Sequence, residues 1–414
     1  RYPVVILEGN TNELGVRAGL EGGEMLRFPA FKGRYTALCE LKPGKNYVVV
    51  KAGANLVKLL LEYKPMKTPY RVQAVWTRAS DEEGTPAHIL PHGDYRAKLD
   101  VAMKLMQAFT AEAMDAAGYG RKTFPLEFDS QGKVVVHVLK LSKTGKEMRA
   151  MEGGQSWSTI YQALEKQIPG PTNKWVSINA FTGYDAAAAK WAGHYALGGG
   201  QLAAFGGGNV AYWPDSLSLV AKTLANRERI DPKKNFEDSR FRETVWANVS
   251  TALGATLHEL GHTFGLPHSP DPQSVMSRGF DYFNRSFMAY EPPYKGNDKE
   301  MPVQPNQRTK WDPFFAARLN WNPWFQPDVN RRVESTPPSI QIQEDEVTVK
   351  SQAGLRVVGA DRDDTPAFWQ NHRDRPVSEV RLDRKELLEK MGGKEFRISA
   401  VDSDGNQTTI DVKP

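Results

Sequence analysis

Residues 1 to 66 carry apolar runs at 4–7, 35–38, 47–51 and 56–63, with the two-residue period of strands, separated by turns such as Glu8-Gly-Asn10 and Lys42-Pro-Gly-Lys45. Regular spacing with Gly, Asn and Pro punctuation predicts a small β-sandwich. Residues 65 to 69 read as a linker. Residues 71–78 then alternate as a strand, and Leu99, Met103, Met106, Phe109 and Ala113 recur at helical spacing between Tyr95 and Ala117. Gly118 and Gly120 end that helix, and residues 133–140 and 174–179 read as further strands. Met103 and Met106 are expected to fill core, and His137 to be structural. A second long helix is expected from about Arg242, with Trp246, Val249, Leu253, Leu257, Leu260 and Phe264 as its buried stripe. From Thr336 onward alternation returns at 340–343, 347–350, 354–359, 396–401 and 408–413. The pattern predicts an α+β protein. A central domain (70–330), with a twisted mixed sheet and a long helix, is flanked by β-sandwiches at 1–66 and 336–414.

Some stretches admit two readings. Residues 197 to 214 hold two Gly-Gly-Gly runs around Gln201-Leu-Ala-Ala-Phe205 and Asn209-Val-Ala-Tyr212. Either this is one short strand between turns, or it is an exposed edge strand beside a cleft. In the second case Ala203, Ala204 and Phe205 would let a substrate backbone approach. The aromatic-rich residues 311 to 325 suit a closing helix better than a sugar-binding platform. Asp402-Ser-Asp-Gly-Asn406 has its glycine too early for a calcium loop and lacks the distal glutamate, so a turn between the last strands is expected. Asn248-Val-Ser and Asn284-Arg-Ser match the glycosylation pattern by accident.

Composition narrows the classes. At 414 residues the chain exceeds one ordinary core, and 25% charged residues with a net charge of +5 describe a globular protein without a basic cluster. Nucleic-acid binding is not indicated, and no apolar run is long enough for a membrane helix. Cys39 is the sole cysteine, so no intramolecular disulfide forms. The chain starts at Arg1, so either a leader has been removed or the chain has been shortened. A secreted or periplasmic location is favoured over a cytoplasmic one, and the oligomeric state is open.

The chemistry concentrates in Thr256-Leu-His-Glu-Leu-Gly-His-Thr-Phe-Gly-Leu-Pro-His268. On a helix, His258 and His262 lie four apart and project from one face, where they can share a metal. Glu259 lies beside them and can reach a water at that metal without being a ligand. Gly265 permits a left-handed turn that ends the helix and returns His268 to the same point. Three imidazoles with one open position describe a catalytic zinc centre, one Zn²⁺ per chain.

H-E-x-x-H-x-x-G-x-x-H resembles the metzincin zinc metallopeptidases, and the order strand, long helix, strands, zinc helix is that of their catalytic domain. The stretch 276–288 is similar to an uncharacterised family of zinc metalloproteinases of fungi and bacteria, and the 41–46 turn loosely resembles bacterial immunoglobulin-like modules. The resemblance implies a methionine turn beneath the metal. Met276 is the first candidate and Met288 the alternative, with Tyr290 then the tyrosine that approaches the metal. It also implies an endopeptidase of protein or peptide substrates with Glu259 as general base. The competing readings are an inactive metallopeptidase-like binding or adhesion protein, and a zinc hydrolase of a non-peptide amide.

Overall fold

The computed structural model describes residues 1–82, 94–185, 190–233, 236–326, 336–363 and 365–414. Six strands open the chain: β1 (Val4–Asn10), β2 (Gly15–Leu20), β3 (Leu26–Phe31), β4 (Arg34–Glu40), β5 (Gly44–Ala52) and β6 (Asn55–Tyr63). They form one sheet in the order β1-β4-β3-β2-β5-β6. The strands expected to form a sandwich over 1–66 join as one curled sheet that turns at β3, whose Leu26–Pro29 pair with β2 and whose Ala30 and Phe31 pair with β4. Its two ends share a small core of Cys39, Leu41, Val48 and Tyr63. Val16, Phe28, Leu38 and Val50 join the central core instead.

That central core is built on β7 (Arg71–Arg78), α1 (Tyr95–Ala116), β8 (Val136–Lys140), α2 (Gly145–Ala150), α3 (Gly153–Gln167) and β9 (Asn173–Asn179). A short hairpin, β10 (Gly183–Asp185) and β11 (Lys190–Ala192), precedes β12 (Ala196–Gly199), β13 (Leu202–Gly206), α4 (Leu217–Leu224) and α5 (Val245–Thr263). The sheet runs β12-β13-β9-β7-β8, parallel except for β12. Strand periodicity divides its side chains between two cores. Trp76, Ile178, Ala203 and Phe205 share a core with α1 and α5, while Val75, Trp175, Leu202 and Ala204 meet Ile160 and Leu164 of α3. Met103 and Met106 are buried as expected, and His137 is held by Glu127 through a 2.7 Å contact.

After α5 come β14 (Tyr290–Glu291), β15 (Met301–Pro302) and α6 (Pro313–Trp321). Trp311, Phe314, Phe315 and Phe325 are buried in the central core, so this aromatic stretch is a closing helix and not a platform. The C-terminal part comprises β16 (Ser339–Ile342), β17 (Glu346–Arg362), β18 (Thr365–Asn371), β19 (Val377–Asp383), α7 (Arg384–Lys390), β20 (Phe396–Asp402) and β21 (Gln407–Val412). β17 is irregular between Lys350 and Leu355. Its first half pairs with β16 and β19, its second with β18 and β20. The second expected sandwich is thus one sheet folded about a long strand, with Val349, Val358, Leu382 and Ile398 in a common core. The backbone amides of Asp404 and Asn406 bond the Asp402 carboxylate at 3.0 and 2.9 Å, so 402–406 is a turn. The expected boundary at 330 lies outside the described residues.

α5 is buried almost all round, not along one stripe. Its polar positions are tolerated because Ser250 and Thr251 donate to the carbonyl and carboxylate of Asp281 at 2.8 and 3.0 Å. Lys174 of β9 reaches the other end of the helix, donating to Thr263 O and lying over the rings of Phe264 and Trp324. Burial pushes its ammonium down to about 7. The unfolded chain holds that proton to about 10.4. Between these values the unfolded state binds more protons, so stability rises with pH. Lys174→Met should abolish this rise, measured as urea midpoints at about pH 7 and about pH 9.5. Equal slopes in both proteins would exclude Lys174 as the titrating group.

Candidate metal centre

The last turns of α5 carry His258, Glu259 and His262. The helix then closes on a Schellman pattern: Gly265 N bonds His262 O at 3.0 Å and Leu266 N bonds Gly261 O at 3.3 Å. Gly265 adopts φ +79°, the left-handed conformation this motif needs. The reversed chain brings His268 to its partners, and one ligand atom from each histidine lies within 4.8 Å of the others.

Hydrogen bonds orient two of the rings. His258 Nδ1 donates to Val275 O and His262 Nδ1 donates to Leu266 O, both at 2.8 Å. A carbonyl only accepts, so each Nδ1 carries the proton and each Nε2 presents a lone pair. Those two Nε2 atoms are 3.1 Å apart. Facing lone pairs at that distance repel unless a positive charge lies between them. The donor set, three imidazoles without a thiolate, suits zinc with an open position.

Glu259 is buried and forms no ion pair among the described residues; desolvation raises its carboxyl to about 8. β12 crosses the helix at this residue, and a Cβ on Gly198 would lie 2.1 Å from Glu259 O. This corrects the expected substrate strand. Ala203, Ala204 and Phe205 sit in β13, an interior strand paired on both sides and buried, with Ala203 1% exposed. Asn209–Tyr212 is part of a 3₁₀ turn, not a strand continuation. The sheet edge beside the centre is β12, residues 196–199, because the Gly200-Gln201 turn folds it back antiparallel outside β13.

Met276 packs under the helix: its Sδ would lie 2.3 Å from a Cβ on Gly261. The neighbouring backbone serves the centre too, through Val275 O on His258 and Met276 O on Ser269 N at 2.8 Å. Met288 is also buried, but its backbone amide bonds Asn284 O. Tyr290 is half-buried at the start of β14. It stacks on Phe31 of the N-terminal sheet at 5.1 Å, its electrostatic neighbours are Glu300 and Arg227, and its backbone pairs with Pro302 of β15.

One residue had no sequence signal. Arg318 of α6 is buried, and its Nη2 donates to Gly265 O at 2.8 Å and to Gln407 Oε1 at 3.2 Å. A cavity of about 310 Å³ opens here, lined by Gly198, His262, His268, Arg318, Arg397 and Thr409. The C-terminal sheet therefore walls the centre.

A family described as "Putative peptidase family" (Metallopep) matches residues 1–356, and the chain belongs to it. The chain is similar to a "Putative zinc metalloproteinase" of Schizosaccharomyces pombe, 28% identical over 312 residues, covering 70% of this chain and 50% of that protein. It is also similar to one of Saccharomyces cerevisiae, 29% identical over 261 residues, covering 55% of this chain and 37% of that protein. The chain thus spans half or less of the length of these relatives. The fold is similar to that of catalytically inactive OgpA from Akkermansia muciniphila, solved with an O-glycopeptide substrate. That match has a TM-score of 0.53 and 18% identity, covering 84% of this chain and 94% of that one. Family and relatives support a metallopeptidase-like function.

Gly198→Ala should force β12 off the helix and cost about 1–3 kcal/mol of stability. Unchanged denaturant midpoints would mean that the strand is not held at Glu259.

Proposed function

We propose that the protein is a zinc-dependent endopeptidase with one zinc per chain, held by His258, His262 and His268. The observation that carries this reading is the pair of proton-bearing Nδ1 atoms, which leaves two Nε2 lone pairs facing each other at 3.1 Å beside His268. Zinc would supply a Lewis acid that polarises the scissile carbonyl and acidifies water. Glu259 takes the proton of the attacking water and delivers it to the leaving amine. Met276 is the methionine of a metzincin-type turn, and the central region from about 70 to 330 is the catalytic unit. An extended peptide lies along β12, whose glycines let its backbone approach, so main-chain hydrogen bonds govern recognition more than side-chain identity.

Two variants test this reading. His262→Ala should lose most of its metal, read by elemental analysis of the purified protein; a full zinc complement would remove the triad from consideration. Glu259→Gln should keep zinc and fold but lose about 10³-fold in turnover on a diverse peptide library. Near-normal cleavage by that variant would place the base elsewhere. New termini absent even from the wild-type digest would favour a non-catalytic binding protein.

A further inference from the structure

Among the described residues β6 is the outer strand of the N-terminal sheet, hydrogen-bonded to β5 alone. Edge strands are normally shortened, bulged or charged, because their open backbone groups template pairing with another chain. β6 runs nine residues against β5 without a register shift. It also shows apolar side chains to solvent on both faces: Leu56 is 59% exposed, Val57 55% and Leu60 54%. Tyr47, opposite Leu60 on β5, extends the apolar surface.

We propose that this edge pairs antiparallel with the same edge of a second copy of the chain, about a two-fold axis at Leu60. Charge selects the register. With Leu60 opposite its own copy, Lys58 faces the partner's Glu62 and Glu62 faces the partner's Lys58. Leu59 meets the partner's Leu61, and Val57 the partner's Tyr63. Moving the axis by half a residue either way sets Lys58 opposite Leu61 or Tyr63. Moving it a full residue sets it opposite Leu60 or Lys64. Only the Leu60 register satisfies both charges while joining the apolar positions. Within one chain Lys58 lies 2.7 Å from Glu21 and Glu62 lies 3.0 Å from Lys64, all four side chains well exposed, so these pairs exchange for intersubunit ones at little cost. The interface is isologous, as two-fold pairing requires.

Sedimentation equilibrium of the full chain tests the proposal, with circular dichroism melting to confirm that each variant folds. The wild type should dimerise in a concentration-dependent way. Lys58→Glu and Glu62→Lys should each weaken the dimer about tenfold, since each reversal acts at both symmetric pairs, and the double variant should return to within about threefold of wild type. Leu60→Lys, which opposes two ammonium groups on the axis, should also dissociate it. A wild type that stays monomeric overturns the proposal, as does a dimer indifferent to the single reversals or one that the double reversal fails to restore.

Discussion

The negative end of a buried helix has to be sealed before anything can be built on it. Thr263 and Phe264 at the end of α5 are buried, so their carbonyls need partners inside the protein. Each finds a partner. Gly261 O takes the amides of Phe264 and Leu266, and His262 O takes that of Gly265. Thr263 O takes the Lys174 ammonium, Phe264 O the Asn322 amide at 3.4 Å, and Gly265 O the Arg318 guanidinium. The Arg318 guanidinium places a positive charge where the helix dipole is negative. This sealing holds the turn at Gly265, and the turn is what carries His268 back to His258 and His262. The grouping of the three histidines is in this sense a consequence of how one helix ends.

Much of this could be read from the chain because the signals are local. H-E-x-x-H fixes its own geometry once the segment is helical, and Gly265 followed by His268 specifies the turn that returns the third histidine. The strands at 71–78 and 174–179 and the helix from 95 announced themselves by period. What stayed hidden was non-local. Leu202–Gly206 and Ala196–Gly199 are both short and small-residued, and only their order in the sheet decides which one is the edge. β2 is masked because Gly15 and Gly19 read as turn residues, although Val16, Ala18 and Leu20 alternate with them and Arg17. Arg318 is the one charged residue of a largely apolar helix, and nothing local to it shows its partners. Its purpose appears only when Gly265 and Gln407 are brought to it by chain segments 53 and 89 residues away.

The glycines of the centre show why small residues there are not filler. Gly261 leaves room for the Met276 sulfur, and Gly198 lets β12 pass over the backbone of Glu259. Both are close approaches of chain to chain, and a methyl group at either site would separate the elements that meet there. The turn that contains Met276 also bonds His258 and Ser269, so the underside of the centre is positioned by backbone groups, not by long side chains. Such support is rigid and keeps two of the imidazoles in one tautomer.

The C-terminal sheet then cannot be regarded as a separate appendage. Gln407 begins β21, and through Arg318 it is one hydrogen bond removed from the turn that positions His268. Gly405 adopts φ +81° and its position for a Cβ lies 2.5 Å from Trp321 O, so the β20–β21 turn is pressed against the end of α6. Burial lowers the Arg318 pKa to about 10, yet leaves it cationic at neutral pH, with Asp361 of β17 as its favourable electrostatic neighbour. A buried cation is retained only where its partners hold, and these come from the metal loop on one side and the C-terminal sheet on the other. The two regions share one charge, and the wall of the cleft beside His268 is set by the same contact that anchors the turn.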